Sequence, residues 1–335
     1  FEPLVLENVK DVLQNEKPDG VLLQFGGQTP LLLSQQLEAH NFPILGTKWK
    51  SIEIAENRAK FRELINTLSL KQPNNEIVKN IEQAIIAAKN LNFPLILRPS
   101  FILGGKNLKI VHNETELLSY FENFELEQEV LIEKVITEAI EIDVDAICDG
   151  TDVMICGIMQ QIEKAGIHSG DSSCIIPALD FSQEVIEQIN YITKMIAINL
   201  GVIGLINIQL LYKNNELYVL EANPRASRTI PFISKAAGIP FIKIATEVIL
   251  GTSLKKQGYN IAPLYPFVAI KKPIFSFNKL PFSSQVLGPE MKSTGEVMAI
   301  GKDLDEAMLK SRFYESNFKP TEKNLNKIGI YSLQN

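Results

Sequence analysis

The sequence has 335 residues, of which 45% are hydrophobic and 21% charged, so it can bury a large core and is not disordered, collagen-like or a disulfide scaffold. At about 150 residues per domain, this length predicts two or three domains. The net charge of −6 argues against a nucleic-acid-coating protein. The 3 cysteines show no CxxC spacing, which indicates a reduced, intracellular protein. No apolar run reaches the about 18 residues of a membrane span, so we expect no membrane partner. Because of the net negative charge, we expect no nucleic-acid partner either.

The beginning of the chain predicts a parallel α/β unit. Residues 4–16 have the pattern of an amphipathic helix, and residues 20–25 that of a buried strand. A helix is predicted at Pro30–His40, with proline at its first position, and a second strand at Pro43–Leu45. The strand–helix–strand order is typical of a parallel sheet.

After residue 56, further strands and amphipathic helices are predicted, and the rhythm of the elements changes from Pro94. Strands are predicted at Leu95–Arg98, Leu108–Val111, Val130–Glu133, Glu141–Ile147, Val153–Met159, Leu205–Tyr212 and Leu217–Asn223. Helices are predicted at Asn57–Leu68, Asn80–Leu91, Glu114–Phe124, 183–200, Pro231–Ala237, Pro240–Leu250 and Leu304–Arg312. The stretch 253–290 is punctuated by prolines and resembles strands.

Four polar residues on the predicted hairpin around residue 214 form a candidate metal site. Asn207 and Gln209 share one face of the first strand, and Glu221 and Asn223 share one face of the second. One carboxylate with carboxamide oxygens suits a hard cation such as Mg²⁺, which needs few protein ligands when phosphates supply the rest. A solvated sheet face is the alternative interpretation.

The turn of this hairpin decides whether the two polar faces coincide. A two-residue loop at Asn214-Asn215 pairs residues 209 and 220 and turns Glu221 to the wrong side. An odd loop, Lys213-Asn214-Asn215 with Asn215 in the left-handed region, brings all four residues together. We predict the odd loop.

Three further segments carry residues suited to anionic ligands. Arg225 and Arg228 can hold phosphoryl oxygens, with ordinary surface arginines as the alternative. Arg98 precedes a Gly104-Gly105 loop whose backbone can approach an anion, although it equally fits a plain hairpin. Neither a Walker P-loop nor a GxGxxG fingerprint occurs.

The segment from Ala165 to Ser172 places His168 between glycines, which fits a phosphate- or substrate-facing loop, or a plain surface loop. Glu141, Asp143 and Asp145 alternate on one strand face. Such a face is usually solvated, and Glu141 alone could bond a ribose.

Taken together, these segments resemble the ATP-grasp superfamily and, within it, the large chain of carbamoyl phosphate synthetases. The motifs are Phe25-Gly26-Gly27-Gln28-Thr29-Pro30, Ala55-Glu56-Asn57-Arg58, Arg98-Pro99-Ser100 with Gly104-Gly105, and the segments 143–150, 166–172 and 221–225. That family has two similar synthetase halves. The segments 144–149, 228–232 and 288–296 resemble the second half, which phosphorylates carbamate, and the short glycine pair at 104–105 supports this choice.

The resemblance implies an α/β and α+β architecture, an ATP-grasp fold preceded by a partial Rossmann-like, pre-ATP-grasp domain. The expected division is a partial pre-ATP-grasp domain at 1–56, an ATP-grasp core at 57–250 with a flap lobe at about 95–160, a C-terminal segment at 251–320 and the start of a regulatory domain at 321–335.

The resemblance also implies roles for individual residues. Those expected to bind the nucleotide or its phosphates are Arg58, Arg98, Gly104, Gly105, Lys134, Ile136, Glu141, Gly166, Ile167, His168, Ser169, Gln209 and Glu221. The expected divalent-metal ligands are Gln209, Glu221 and Asn223. The expected catalytic arginines are Arg98, Arg225 and Arg228, the last two at the phosphoryl and carbamate groups.

The implied activity is phosphorylation of carbamate by ATP, with Mg²⁺ or Mn²⁺ and with K⁺ as a further ion, for pyrimidine and arginine biosynthesis. The implied partners are the first synthetase half and a glutaminase subunit or domain, in an oligomer of the cytoplasm or, in a eukaryote, the mitochondrion. Two alternatives stay open: the carboxyphosphate-forming half or another ATP-grasp ligase, and a non-catalytic nucleotide-binding half.

Overall fold

The computed structural model describes residues 2–99, 108–122, 129–259, 263–277, 285–288 and 290–312. Its helices are α1 Leu6–Glu16, α2 Gln28–Leu32, α3 Ser34–Ala39, α4 Trp49–Glu56, α5 Arg58–Thr67, α6 Ile81–Leu91, α7 Glu114–Glu122, α8 Gln183–Asn199, α9 Ile230–Ala237, α10 Phe241–Ile249 and α11 Leu304–Ser311. Its strands are β1 Val21–Leu22, β2 Ile44–Leu45, β3 Asn75–Val78, β4 Leu95–Pro99, β5 Lys109–Val111, β6 Val130–Lys134, β7 Ile140–Asp149, β8 Val153–Gln161, β9 Cys174–Ile176, β10 Ile203–Lys213, β11 Glu216–Asn223, β12 Val268–Ile274 and β13 Gly295–Gly301. In these ranges no helix is both long and apolar enough to cross a membrane.

The first unit, which we call the lead-in domain (residues 2–56), contains the predicted parallel strand pair, β1 with β2. Its core includes Leu31, Leu37 and Ile52. The strand predicted over 20–25 is only two residues long, and the predicted helix at Pro30–His40 is two short helices, α2 and α3. Helix α2 begins at Gln28, so Pro30 is its third residue and not its first. The helix α4 was not predicted.

A four-stranded antiparallel sheet follows, in the order β3-β6-β4-β5. Helices α6 and α7 cover one face, where Leu117 packs in the same cluster as Leu95 and Ile132. Helix α6 begins because the side chain of Asn80 accepts a hydrogen bond from the backbone N–H of Gln83. The other face is left to line a cavity.

The largest sheet has seven antiparallel strands in the order β11-β10-β7-β8-β9-β12-β13. Alternate residues of β10 face opposite ways: Ile206 and Ile208 pack with α8, whereas Leu205 packs with α9 and α10. Asn207 and Gln209 therefore share the face of Leu205. The two-sided core fixes this orientation, since slipping by one residue would bury the polar face under α8.

The β10–β11 hairpin has a two-residue turn, so the predicted odd loop was wrong. Asn214 and Asn215 both have positive φ, 52° and 62°, and Lys213 pairs with Glu216. The register then shifts by one at a bulge formed by Leu220. Beyond the bulge, Gln209 pairs with Glu221 and Asn207 with Asn223. The four polar residues therefore share one face as predicted, but because of the bulge and not because of an odd loop.

Candidate active site

One cavity lies between the four-stranded sheet, the seven-stranded sheet and the lead-in domain. Its volume is about 800 Å³, which is within the range of pockets that bury small organic ligands. The lead-in domain contributes Gln28 and Glu56 to its wall, and the four-stranded sheet contributes Arg98 and Glu133. The seven-stranded sheet forms the floor.

The predicted site residues converge on this cavity. Those that line it are Arg58, Arg98, Lys134, Ile136, Glu141, Gly166, Ile167, His168, Ser169, Gln209, Glu221, Asn223, Arg225 and Arg228. Gly104 and Gly105 lie outside the described residues. Residues from six separate sequence regions are thus brought to one place.

The three predicted metal ligands include one carboxylate, that of Glu221, which is ionised. Glu221 accepts a hydrogen bond from Asn223 Nδ2 at 3.0 Å and forms an ion pair with Arg58 at 3.5 Å. Burial raises the pKa of Glu221, but Arg58, Arg98 and the bond from Asn223 together outweigh burial and hold the pKa below its usual value. No cluster of three or more metal-binding His, Cys, Asp or Glu side chains occurs in the described ranges. One carboxylate with two carboxamides fits a hard cation only when phosphate oxygens complete its coordination.

The segment 224–229, which we call the arginine loop, follows directly after β11. Arg225 Nε donates to Gln28 Oε1 at 3.1 Å, and Arg225 Nη2 donates to Asn223 Oδ1 at 3.2 Å. Arg225 is half-buried, whereas Arg228 is exposed and contacts the sulfur of Met291. Both line the cavity, so their predicted role in binding phosphoryl oxygens stays a prediction that this position allows.

The loop around His168 also faces the cavity, and it is not a plain surface loop. His168 Nδ1 accepts the backbone N–H of Gly170 at 2.9 Å. Burial and then Arg228 lower the pKa of His168, so the ring is neutral. Because Nδ1 is the acceptor, the proton of the neutral ring resides on Nε2, which makes Nε2 a donor.

The acidic face of β7 is buried and not solvated, in contrast to the usual expectation. Glu141, Asp143 and Asp145 are 7%, 2% and 1% exposed. Asp143 pairs with Gln209 and Asp145 with Asn207, so this face continues the face of β10 that carries the predicted metal ligand Gln209. Burial, followed by the charge of Asp143, raises the pKa of Glu141 to about 8. Burial raises the pKa of Asp145 to about 6.

The wall opposite the floor is formed by Arg98 and the end of β6. Arg98 lies 3.6 Å from Glu133, and its Nε has no hydrogen-bond partner among the described residues. Such an orphaned donor suits an anionic ligand. Lys134 turns its ammonium to the carbonyls of Asn92 and Phe93, at 2.8 Å each, so its ammonium is directed away from a ligand in the cavity.

Sequence reasoning gave no role to several cavity residues. Gln28 and Glu56 stood in the quoted motifs, and the structure joins them by a 2.5 Å bond from Gln28 Nε2 to Glu56 Oε2. Burial and then Glu221 raise the pKa of Glu56. Lys271 is 1% exposed, and its Nζ donates to the Ser169 carbonyl at 3.1 Å. The sequence placed Lys271 only in a strand-like stretch and gave no signal that it would be buried.

Gln24 joins the lead-in domain to the rest of the site. It is 1% exposed, its Nε2 donates to the Ile203 carbonyl at 3.0 Å, and its Oε1 accepts from Leu205 N at 3.3 Å. The backbone carbonyl of Gln24 accepts the N–H of Ala226 in the arginine loop at 2.8 Å. One residue thus fixes both a strand and the loop.

The sequence profile described as "Carbamoyl-phosphate synthase L chain, ATP binding domain" matches residues 57–257, more than half of the chain. The chain belongs to this carbamoyl-phosphate synthase large-chain family. A second profile, "Carbamoyl phosphate synthase preATP-grasp domain", matches residues 1–54. The predicted resemblance to the carbamoyl-phosphate synthase large chain is therefore confirmed.

Relatives in the carbamoyl-phosphate synthase family are similar over nearly all of this chain. The carbamoyl phosphate synthase large chain of Vibrio cholerae is 46% identical over 314 residues, which are 93% of this chain and 29% of that protein. The large chain of Archaeoglobus fulgidus is 48% identical over 314 residues, with the same two shares. The chain therefore spans less than a third of the length of these relatives.

Solved structures establish the fold of this carbamoyl-phosphate synthase family member. The biotin carboxylase domain of Hydrogenobacter thermophilus 2-oxoglutarate carboxylase, solved with MgADP, ADP and bicarbonate, has a TM-score of 0.73 at 18% identity. Biotin carboxylase from Campylobacter jejuni has a TM-score of 0.72 at 17% identity. Each of these two similarities covers 92% of this chain and 76% of the solved chain. The predicted ATP-grasp fold is confirmed.

Proposed function

We propose that this chain transfers the γ-phosphoryl group of ATP to carbamate, giving carbamoyl phosphate and ADP. The observation that carries the proposal is the ionised Glu221 between two carboxamides, directly beside the arginine loop. Phosphoryl transfer requires alignment and charge neutralisation more than a covalent nucleophile, and the cavity supplies arginines and metal ligands for that purpose. The segments 144–149, 228–232 and 288–296 support carbamate, and not bicarbonate, as the acceptor.

The cavity wall supplies positive charge for the phosphates. Arg98 presents its orphaned Nε, and Arg58 is paired with Glu221 only at 3.5 Å, so both can turn to phosphate oxygens without breaking a short ion pair. Planar guanidinium groups bind such oxygens with two parallel hydrogen bonds. We expect Glu141 to accept a ribose hydroxyl, and the backbone of Ile136 to lie along the base.

The residues expected to hold Mg²⁺ are Gln209, Glu221 and Asn223. When bound, the ion neutralises charge on the phosphate oxygens. Asn223 Nδ2 donates to Glu221 at 3.0 Å and its Oδ1 accepts from Arg225 Nη2 at 3.2 Å, so binding of the ion through Oδ1 would rearrange these bonds. Mn²⁺ in place of Mg²⁺, and K⁺ as a further ion, remain part of the proposal.

The arginine loop orients the acceptor. Arg225 is held by Gln28 and Asn223, which leaves its remaining N–H groups for the carbamate or the phosphoryl group. His168 can donate from Nε2 toward a phosphoryl oxygen that gains charge during transfer. A carbamate oxygen then forms the new bond to phosphorus as ADP leaves. Because carbamate decomposes in water, the closed cavity must exclude solvent.

The wider assembly is also a proposal. Since the chain spans 29% of its relatives' length, we propose that the complete protein includes a bicarbonate-phosphorylating half and works with a glutaminase subunit or domain as an oligomer. The division of the chain at residues 56, 250 and 320 is likewise proposed.

The test is Glu221→Ala in the full-length protein, assayed in two partial reactions. We expect loss of ATP synthesis from carbamoyl phosphate and MgADP, and retention of bicarbonate-dependent ATP hydrolysis. The matched control is Glu216→Ala, since Glu216 is on the same strand but is paired with Lys71 at the surface. The control should keep both reactions.

The same experiment separates the alternatives. Loss of bicarbonate-dependent hydrolysis with retained ATP synthesis would assign this chain to the carboxyphosphate-forming half. Retention of both reactions by Glu221→Ala would indicate a non-catalytic nucleotide-binding half.

A further inference from the structure

A buried carboxylate lies beneath the arginine loop and does not line the cavity in the part of the chain that the structure describes. Asp145 is 1% exposed and accepts hydrogen bonds at both of its oxygens. Its Oδ2 accepts Thr229 Oγ1 at 2.5 Å and Ser227 Oγ at 2.9 Å. Its Oδ1 accepts Asn207 Nδ2 at 3.0 Å.

These bonds fix one end of the arginine loop. Ser227 Oγ and Thr229 Oγ1 lie 2.8 Å apart, and Ser227 Oγ accepts the backbone N–H of Ile230, where α9 begins. In the middle of the loop, directly before Ser227, Ala226 N donates to the Gln24 carbonyl at 2.8 Å. Arg228 therefore stands between two hydroxyl residues that are both bound to one carboxylate of the sheet.

Burying a carboxylate is costly, and that cost is offset only when strong hydrogen bonds satisfy its oxygens. Apolar packing against α9 could anchor the loop without a charge, yet the chain uses three donors aimed at Asp145. Two of them belong to the loop that carries both arginines, and the third, Asn207, is next but one to the metal-ligand candidate Gln209 on β10. The Asp145 carboxylate thus links the loop that carries the arginines to strand β10, which carries Gln209.

We propose that Asp145 is a positioning residue, which holds Arg225 and Arg228 in register with the metal-ligand strand through the hydroxyls of Ser227 and Thr229. The inference rests on the proposed function, because it assigns the arginines to the transferring group and the carbamate. Asp145 itself touches neither substrate. Its effect is on the geometry of the transfer and not on nucleotide binding.

Two isosteric substitutions probe this arrangement. Asp145→Asn keeps the volume but replaces one accepting oxygen by an NH₂ group, which faces either the hydroxyls or the Asn207 amide. Thr229→Val removes one donor, and Thr229→Ser restores it. Thr193→Val is the matched control, since Thr193 is 0% exposed on α8 and its hydroxyl has no hydrogen-bond partner among the described residues.

The experiment measures ATP synthesis from carbamoyl phosphate and MgADP by the full-length protein, with separate titrations of the two substrates. For Asp145→Asn we expect kcat/KM for carbamoyl phosphate to fall about 10–100-fold, the usual effect of losing an orienting partner, while KM for MgADP stays within about threefold. Thr229→Val should fall in the same direction. Thr229→Ser and Thr193→Val should behave as wild type.

Three results would overturn the inference. The first is wild-type kinetics in both Asp145→Asn and Thr229→Val. The second is an equal loss in the two titrations, which would indicate a general structural role. The third is a Thr229→Ser variant as impaired as Thr229→Val. If Asp145→Asn does not fold, the pair at Thr229 decides alone. A wild-type protein that makes no ATP would reject the proposed function, and this inference with it.

Discussion

Gln209 on β10 lies directly opposite Glu221 on β11, although the turn that joins these strands would by itself pair Gln209 with Leu220. The extra residue is absorbed by the bulge at Leu220, and every residue beyond it changes face. The carboxylate therefore points into the cavity because of an irregularity in the ladder and not because of the turn.

The turn itself yields the first prediction. Asn214 has a φ of 52°, a left-handed conformation that costs a side chain without local hydrogen bonding about 1–2 kcal/mol. Asn214→Val should lower the free energy of unfolding by that amount, whereas the control Asn214→Gly should leave it unchanged or raise it slightly. Urea unfolding measures both. Equal stability of the two variants would show that the turn is not left-handed at this residue.

Gln28 should matter for the acceptor more than for the nucleotide. It accepts from Arg225 Nε at 3.1 Å and donates to Glu56 at 2.5 Å, so Gln28→Ala removes one of the bonds that orient the arginine. A hydrogen bond to a charged group contributes about 1.5–3 kcal/mol, so KM for carbamoyl phosphate in ATP synthesis should rise about tenfold or more.

KM for MgADP should change little in Gln28→Ala, and Gln35→Ala, an exposed glutamine of the same domain, is the control. A rise confined to KM for MgADP would contradict the assigned contact of Arg225.

Glu141 should make stability fall as the pH rises. Its pKa is about 8 in the folded protein against 4.5 for an exposed glutamate, so the folded state binds the extra proton between about pH 4.5 and 8. Its stabilising contribution is complete below pH 4.5 and lost by pH 8. The side chain of Glu141→Gln cannot lose a proton, so the variant should be more stable than wild type at high pH. The difference in the free energy of unfolding should grow from near zero at about pH 5 to a few kcal/mol above about pH 8, on the order expected for such a pKa shift.

Unfolding by urea at several pH values, without nucleotide, gives this difference directly. The difference includes the coupling of Glu141 to Asp143, whose charge raises the pKa of Glu141. A difference that is independent of pH would contradict the raised pKa of Glu141.

Asp171 should hold the segment around residue 292 against the loop of His168. The carboxylate is 0% exposed and accepts the backbone N–H groups of Lys292 at 2.7 Å and Ser293 at 2.8 Å. Asp171→Asn replaces one of these acceptors by a donor, so it should destabilise the protein by about 1.5–3 kcal/mol. Hydrogen exchange at the Lys292 and Ser293 amides should accelerate as well.

The matched control for Asp171 is Asp303→Asn. Asp303 caps α11 by accepting the N–H of Glu306, and asparagine is an equally good cap, so stability should not change. Slow exchange at both amides in Asp171→Asn would refute the contact.

Strong local periodicity made parts of the fold predictable. The helix predicted over 183–200 occurs at Gln183–Asn199, and the alternation of β10 placed Asn207 and Gln209 on the correct face. These features depend on residues that are close in sequence, and each has one face committed to a core.

The remaining features depend on partners distant in sequence. The bulge at Leu220 lies between two parts of one hairpin that pair in different registers, Lys213 with Glu216 beside the turn and Gln209 with Glu221 at the cavity. The acidic face of Asp143 and Asp145 is buried because other elements cover it, which no alternation pattern reveals. Short strands such as β3 exist only through their pairing with β6, more than 50 residues further along.

The two matched profiles divide the chain between residues 54 and 57, but Gln24 makes hydrogen bonds across this boundary. Its side chain completes β10 and its carbonyl restrains Ala226, so the first 56 residues carry part of the scaffold for the second region's chemistry. The two regions are therefore linked structurally through Gln24. A chimera that takes its first 56 residues from a relative must match Gln24 and Gln28 to the recipient's arginine loop, and a protein cut at residue 57 would lose acceptors that its own strands require.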